Sequence, residues 1–334
     1  MDITNLLYSL SNADGVSGVK TKLDVAEQHL KSLGKVERDN MGGLVCYIGN
    51  GNRKIMLDAH IDEIGFVVTA IEGDFLRVDK CGGIDTRTVI GQEVTVYGKT
   101  QIKGVFASLP PHLKKESDKA PEVDELVLDC GYKHEKLKEL VRVGDRVCFS
   151  VECAEMANSR LTGKSLDNSA GVAAVIAAAS KAAASLCDTT LVVSLSAQEE
   201  LGLRGARTSA YAVEPSEAIV VDVSFGDGPD VPERACGKLG KGAMICLSPI
   251  LDRRISDKLV EICETKSIAH QFEVCAGTTG TNADVISVSQ NGVPTAVVSI
   301  PLRNMHTACE VVDVNDVESV VSLLAEYVIQ GGVM

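Results

Sequence analysis

Apolar and polar positions follow two different patterns along this chain. Apolar residues at helical spacing predict a helix over residues 2–33, and short apolar runs predict strands at 43–48 and 54–59. Between residues 67 and 157 the pattern changes to short β-type runs separated by turn residues, at 75–78, 93–98, 104–106 and 146–149. The sequence therefore predicts a small β-rich barrel or sandwich that is inserted into an α/β domain.

The alternation of helices and strands resumes from residue 162. An alanine-rich stretch at 169–185 predicts a helix, and Asp167 and Asn168 immediately before it are good N-terminal capping residues. Later helices are predicted at 256–265 and 314–329, with strands at 271–274 and 295–299. The segment 114–125 is charged and contains a proline, so it is predicted to be an exposed loop.

Histidines and carboxylates that are distant in the sequence occupy matching places relative to these predicted strands. Several follow the apolar runs at 54–57, 190–195 and 218–221, where a buried strand would end. Ligands of open α/β sheets bind at that edge. Imidazole and carboxylate groups bind zinc-like and cobalt-like ions, and one carboxylate can bridge two ions. The set predicts a two-metal hydrolytic site and consists of His60, Asp62, Asp167, Glu199, Glu200, Asp222 and His306.

Each of these residues, taken singly, also has a structural explanation. The histidines can be satisfied groups of the core or the surface, Asp167 can cap a helix, and Asp222 can cap a turn. The adjacent glutamates can belong to a solvated face, and Asp62 can make a structural hydrogen bond. The metal site is favoured because so many ligand-type residues stand at successive boundaries between helices and strands.

Composition limits the classes of partner and location. The chain has 334 residues, of which 45% are hydrophobic, so it can bury a full α/β core. Its net charge of −13 argues against a nucleic-acid partner, because no basic stripe is present to neutralise phosphates. The first residues do not resemble a signal peptide, and no run approaches the ~20 apolar residues that span a bilayer. We therefore expect a cytoplasmic protein with no membrane partner.

The cysteines do not form a recognisable metal or redox motif. There are eleven, an odd number, and no two are spaced as Cys-x-x-Cys. Most are expected to be small buried apolar residues. Cys309 is the exception, because it follows His306 by three residues and could contact the metal site.

The order of motifs along the chain resembles the M42 family of dinuclear metallo-aminopeptidases, which includes tetrahedral and glutamyl aminopeptidases. The resemblance covers nearly the whole chain, through the segments 59–65, 87–92, 110–113, 163–168, 198–205, 239–242 and 303–306. It implies an α/β fold in which residues 1–66 and 158–334 form a di-metal hydrolase domain, with a mixed sheet and helices on both faces. It also implies that residues 67–157 are a β-rich dimerisation domain, which in the family often builds twelve-subunit particles.

The resemblance also implies the metal ligands. His60 and Asp222 would bind one divalent ion, and Glu200 and His306 would bind the other. Asp167 would bridge the two ions, which could be zinc, cobalt or manganese.

Two further residues match catalytic positions of the family. Glu199 matches the general base, and Asp62 matches the carboxylate that orients His60, since a liganding imidazole usually donates its free N–H to such a group. The implied reaction is hydrolysis of the N-terminal peptide bond of short peptides, in which a metal-bridged water gives its proton to Glu199.

Other function classes remain open at this point. A related di-metal deacylase or carboxypeptidase would use the same ligand types. Some family members are labelled cellulases, but a glycoside hydrolase is disfavoured, because this chain has no tryptophan and only 4% aromatic residues to stack on sugars. A non-catalytic interaction module is disfavoured because no ligand position is missing.

Three departures from the family pattern bear on substrate preference and pocket polarity. Ser169 stands where the family often has arginine, and Asn282 stands where it usually has aspartate. The residues Ala308 and Cys309 replace a Pro-Val pair after the last histidine.

Overall fold

A computed structural model describes residues 1–109, 111–113, 122–186 and 188–333. Its main features are an eleven-stranded mixed sheet and a separate closed barrel of six strands. The strands are β1 Lys35–Arg38, β2 Leu44–Ile48, β3 Arg53–His60, β4 Gly65–Glu72, β5 Phe75–Cys81, β6 Glu93–Tyr97, β7 Gln101–Ala107, β8 Val127–Asp129, β9 Arg146–Phe149, β10 Ala154–Met156, β11 Arg160–Gly163, β12 Thr189–Ser196, β13 Glu217–Phe225, β14 Ala243–Leu247, β15 His270–Val274, β16 Thr295–Arg303 and β17 Glu310–Asp313.

Helices cover both faces of the large sheet, as the predicted fold class required. One face, which includes Leu57 and Val221, packs against α1, α2, α4, α6 and α8. The alternate positions Met56 and Val220 face the other way and pack against α5 and α7. The helices are α1 Ile3–Asn12, α2 Thr21–Leu30, α3 His134–Leu140, α4 Leu166–Ala182, α5 Arg204–Val213, α6 Arg253–Lys266, α7 Ala283–Ile286 and α8 Val314–Ile329.

The centre of the large sheet is parallel. The strand order is β1-β2-β12-β3-β13-β16-β17-β11-β10, with β14 paired to β16 and β15 paired to β14. Strands β12, β3, β13 and β16 run parallel to one another. Parallel strands covered by helices on both faces are near-continuous apolar runs, which is why the runs at 190–195 and 218–221 stand out in the sequence.

The inserted β-rich segment is a barrel rather than a sandwich. Its strand order is β4-β5-β8-β7-β6-β9, and Phe66 packs inside it against Phe106 and Phe149, with ring centroids 4.7 Å and 5.5 Å apart. The barrel strands run from β4 to β9, whereas β10 belongs to the large sheet. The domain boundaries at 66/67 and 157/158 stay a prediction.

The structure corrects two sequence predictions. The helix predicted over 2–33 is wrong at residues 13–20, where the chain turns between α1 and α2 and Gly18 takes a φ of 103°. Asp222 lies inside β13 rather than at its end, because the strand continues to Phe225. The other predicted helices and strands are present, within a few residues at their ends.

Residues 114–121 of the predicted exposed loop at 114–125 lie outside the described part of the chain. Its last residues, Val123–Glu125, form a short 3-10 helix. Among the described helices, none is long and apolar enough to cross a membrane.

A buried network of charges joins the barrel to the large sheet domain. Glu63 accepts from Lys22 Nζ at 2.5 Å and from Lys164 Nζ at 3.0 Å, and Tyr97 of β6 donates to Asp14. Burial alone would raise the pKa of Glu63, but the two lysines outweigh it and lower the pKa to about 2. The positive charges of the two lysines therefore compensate the carboxylates of this network.

Candidate metal centre

Two strands and one helix start bring His60, Asp167 and Asp222 together. Asp58 of β3 is opposite Val220 of β13, so His60 and Asp222, each two residues further along, come level on the same side of the sheet. His60 Nε2 lies 3.1 Å from Asp167 Oδ1 and 3.5 Å from Asp222 Oδ1. The three side chains are buried, and their ligand atoms all lie within 4.8 Å of one another.

A second group of ligand-type side chains shares Asp167 with the first. His306 Nε2 lies 3.5 Å from Asp167 Oδ2 and 3.6 Å from Glu200 Oε1. The two carboxylate oxygens of Asp167 therefore face different histidines. A carboxylate that bridges two ions needs this arrangement.

Because of the way α4 starts, the Asp167 carboxylate does not cap the helix and can lie between the two histidines. Asp167 and Asn168 have non-helical φ and ψ angles, so the regular helix begins after them. Asn168 Oδ1 caps it by accepting from the Gly171 N–H at 2.9 Å, and its Nδ2 donates to the Val221 carbonyl at 2.8 Å. The predicted cap is therefore confirmed for Asn168, and capping does not explain the Asp167 side chain.

The adjacent glutamates lie on a tight turn after β12. Gln198 has a φ of 61°, and the N–H groups of Gly202 and Leu203 both donate to the Glu199 carbonyl. This turn places both glutamate side chains among the histidines and aspartates of the site, where Glu199 is partly buried and the Glu200 side chain is 7% exposed. They are therefore not part of a solvated face.

Asp62 holds this turn through two hydrogen bonds. Its Oδ1 accepts from the Glu199 N–H at 2.9 Å, and its Oδ2 lies 3.3 Å from the Glu200 nitrogen. Its predicted carboxylate contact with His60 is not made at hydrogen-bond distance, since Nδ1 lies 3.8 Å from Oδ1. Nδ1 instead lies 3.1 Å from the main-chain oxygen of Asp62. Asp62 thus contacts the imidazole through its backbone and the glutamates through its side chain.

The crowding of acids strongly perturbs their protonation. Burial and the nearby carboxylates raise the pKa of Glu199 to about 9, although His60 opposes the shift. Burial and Asp167 raise the pKa of Glu200 to about 7. The hydrogen bond to Asp167 raises the pKa of His306 to about 9. Carboxylates held this close repel one another, and divalent cations would relieve the repulsion, so the donor set fits metal ions.

Glu310 supports the site and was missed in the sequence analysis. It is almost fully buried, its Oε2 accepts from the Asp167 N–H at 2.9 Å, and its Oε1 accepts from the His306 N–H at 3.0 Å. One carboxylate therefore fixes the backbone of two candidate ligands. The available signal was its position four residues after His306.

Asn282, one of the departures from the family pattern, is paired with a second missed carboxylate. Its Nδ2 donates to Asp58 Oδ2 and to Ser196 Oγ, each at 2.8 Å. Burial raises the pKa of Asp58 to about 6, against hydrogen bonds from Ser194, Asn282 and Ser196. Asp58 precedes His60 by two residues on β3, so this polar cluster lies directly beneath the candidate metal centre.

A cavity of about 640 Å³ opens beside His306, between the barrel and the large sheet. Its wall includes Phe225, Met305, Ala308 and Cys309, so two of the replaced positions line it. Cys309 is exposed, and it is absent from the groups of described residues whose ligand atoms could hold an ion. Of the ten described cysteines, seven are buried, which confirms the prediction for most of them.

Comparison with known proteins identifies the family. The chain matches the model of the M42 glutamyl aminopeptidase family over residues 42–323. It is 31% identical to a lysyl aminopeptidase of Pyrococcus furiosus over 328 residues, which are 95% of this chain and 94% of that protein.

Solved structures of similar proteins support the same family. Aminopeptidase APDkam598 of Desulfurococcus kamchatkensis superposes with a TM-score of 0.91 at 33% identity, over 98% of this chain and 95% of that one. The TET1 peptidase of Pyrococcus horikoshii, which can assemble into a tetrahedron or a large octahedral shell, has a TM-score of 0.86 at 29% identity over the whole of both chains. Since these similarities run along almost the full length of each protein, the chain belongs to the M42 glutamyl aminopeptidase family and is a peptide hydrolase of the aminopeptidase type.

Proposed function

We propose that this aminopeptidase uses two divalent metal ions, and that Asp167 bridges them. His60 and Asp222 hold one ion, and Glu200 and His306 hold the other. The supporting observation is that Asp167 Oδ1 and Oδ2 face different histidines, at 3.1 Å and 3.5 Å. Imidazole and carboxylate ligands accept zinc, cobalt and manganese, so we propose an ion of this class.

The chemistry divides between the ions and Glu199. Divalent ions held by these residues would lower the pKa of a bound water and polarise the scissile carbonyl. The positive charge of bound ions would lower the raised pKa of Glu199, so that its carboxylate could accept a proton and return it to the leaving amine. The hydrogen bond from its N–H to Asp62 Oδ1 positions it for this transfer. Asp62 is thus a positioning residue in this proposal.

We propose that the substrate binds in the cavity whose wall includes Met305 and Thr307, the two neighbours of His306. Acidic side chains around the candidate metal centre favour a positively charged α-amino group, which suits cleavage at the N-terminus of short peptides. We also propose that the protein is cytoplasmic. The ten described cysteines are all free thiols, as is usual in reducing compartments.

The proposed function predicts that hydrolysis requires a free α-amino group. A short peptide should be cleaved at its first peptide bond, and its N-acetylated form should not be cleaved, because acetylation removes the charge that the acidic centre recognises. Mass spectrometry of both reactions at equal enzyme concentration measures this. Cleavage of the acetylated peptide at a similar rate would instead indicate the related deacylase or another hydrolase.

We further propose that the barrel mediates self-association. The relative from Pyrococcus horikoshii assembles into closed shells, and repeated interfaces usually produce closed symmetric assemblies. The barrel of this chain leaves apolar side chains exposed that could form such an interface, namely Phe75, Ile90, Val105 and Leu109. A dodecamer is the assembly that the family resemblance suggests.

This proposal predicts a native mass larger than that of one chain at micromolar concentration. The double variant Val105→Glu/Leu109→Glu should shift the mass toward smaller species, because it places charges in the proposed interface. Val288→Glu is the matched control, since Val288 is an exposed apolar residue outside the barrel. Native mass spectrometry of the three proteins measures the outcome. A fully active wild-type monomer would refute the proposal.

A further inference from the structure

A separate group of side chains that can bind metal lies on β14 and β15, which are two and three strands away from β13, the strand of Asp222. Cys246 of β14 is directly opposite Glu273 of β15. Cys275 follows Glu273 by two residues, and its N–H donates to the Leu247 carbonyl at 3.0 Å, which extends the pairing of the two strands. The three side chains therefore point to the same side of the sheet, and their ligand atoms all lie within 4.8 Å of one another.

The two sulfur atoms have the separation of a metal-binding pair. Cys246 Sγ and Cys275 Sγ are 3.5 Å apart, and both residues are free thiols. Zinc–thiolate bonds of about 2.3 Å at the tetrahedral angle place two sulfur atoms about 3.7–3.8 Å apart. A shift of a few tenths of an ångström would thus bring both into coordination.

Two serine hydroxyl groups hold the carboxylate of Glu273, one oxygen of which lies within 4.8 Å of both sulfur atoms. Ser224 Oγ donates to its Oε1, and Ser299 Oγ donates to its Oε2 at 2.9 Å. These bonds fix the direction of the carboxylate, as the partners of a ligating carboxylate do. A disulfide between the two cysteines would not require a carboxylate held beside the sulfur atoms, whereas a metal ion could bind to it.

The charge around Glu273 is not compensated by protein cations. Within the described part of the chain, no Lys, Arg or His nitrogen lies within 4.0 Å of its carboxylate. The group of Asp14, Glu63 and Cys148 is different, although its ligand atoms are equally close, because Lys22 and Lys164 already neutralise it. Of these two groups outside the metal centre, only the one at Glu273 lacks a positive partner.

We propose that Cys246, Glu273 and Cys275 form an additional binding site for a thiophilic divalent ion of the zinc class. Both thiols lose their protons to water when the ion binds, and a water molecule completes four-coordination. Cys246 is buried and Cys275 is partly exposed, so the ion enters from the Cys275 side. A bound ion ties β14 to β15 and anchors the chain that leads on to Asn282, beneath the candidate metal centre.

Cadmium titration of the fully reduced protein tests this site. Cadmium–thiolate bonds give a charge-transfer absorption in the ultraviolet, to which ions held only by nitrogen and oxygen do not contribute. Once the proposed two-metal centre is filled, the wild type should show a band that saturates with one further cadmium ion per chain. Cys275→Ser should lose the two-thiolate band, and Glu273→Gln should keep part of it while binding cadmium at least about 10-fold more weakly.

The matched control is Cys236→Ser, since Cys236 is also partly exposed but belongs to no ligand group among the described residues. Its titration should equal that of the wild type. The proposal is overturned by an absent band in the reduced wild type or by an unchanged band in Cys275→Ser. It is equally overturned if mild oxidation by hydrogen peroxide joins Cys246 to Cys275 while the reduced protein binds no cadmium. Folding of each variant is checked by circular dichroism.

Discussion

Replacing Glu199 with glutamine is expected to lower kcat by about 10²- to 10⁴-fold while both metal ions stay bound. The amide has nearly the same size as the carboxylate, but it cannot accept a proton. The hydrogen bond between the Glu199 N–H and Asp62 uses the backbone, so the turn should keep its shape. Steady-state kinetics on a free-amine peptide, together with metal analysis of the purified variant, measures both parts of this prediction.

Glu200→Gln is the matched control, because it makes the same chemical change at the neighbouring position. Glu200 Oε1 lies 3.6 Å from His306 Nε2, and loss of the Glu200 carboxylate should weaken one metal site rather than proton transfer. Excess metal should therefore restore part of its activity, whereas Glu199→Gln should not respond. If excess metal instead rescues Glu199→Gln and not Glu200→Gln, the two roles are reversed. Near-normal turnover by Glu199→Gln with two ions bound would eliminate it as the base.

Removal of the metal ions is expected to abolish activity and lower the melting temperature. The ions bind the folded chain, so their loss removes about 2.7 kcal/mol of stability per site when the free ion stands at 100-fold over Kd. It also leaves Asp167, Glu200 and Asp222 crowded together without a compensating cation. Dialysis against a chelator, followed by activity measurement, metal analysis and calorimetry, tests the prediction. Restored activity after metal is added back shows that the fold survived.

A control variant separates the catalytic ions from other bound metal. In Asp167→Asn both candidate sites lose a ligand, so chelation should lower its melting temperature by less than it lowers that of the wild type. An equal decrease in the two proteins would place the stabilising ions elsewhere. Undiminished activity in a chelated protein that analysis shows to be metal-free would contradict the two-metal proposal directly.

The sequence predicts most of the architecture because the large sheet has a parallel centre. Parallel strands that are covered on both faces must be apolar throughout, and this makes β12 and β13 visible as continuous runs. The same continuous apolar character makes the end of such a strand hard to predict. Asp222 interrupts the apolar run of β13 and predicts the end of the strand there, although the strand extends three residues further.

The candidate ligands could be predicted, but the residues that support them could not. Ligand-type side chains share chemistry and position, and the order of motifs along the chain connects them. Glu310 and Asp58 act instead through hydrogen bonds to groups far away in the sequence, such as the Asp167 N–H and the Asn282 side chain. A buried carboxylate without a recognisable motif looks like any other acid until the fold shows what it contacts.

The carboxylate of Asp62 accepts hydrogen bonds from the backbone amides of Glu199 and Glu200. It therefore connects the proposed base with the candidate metal ligand. A movement of Glu200 toward an arriving ion shifts the peptide plane that it shares with Glu199. Asp62 accepts from the amide nitrogen of that plane at 3.3 Å and from the preceding amide nitrogen, that of Glu199, at 2.9 Å, so one carboxylate connects the two peptide groups. In the proposed mechanism, loading of the ion at Glu200 would therefore also align Glu199, and the enzyme would reach its active geometry only after both ions have bound.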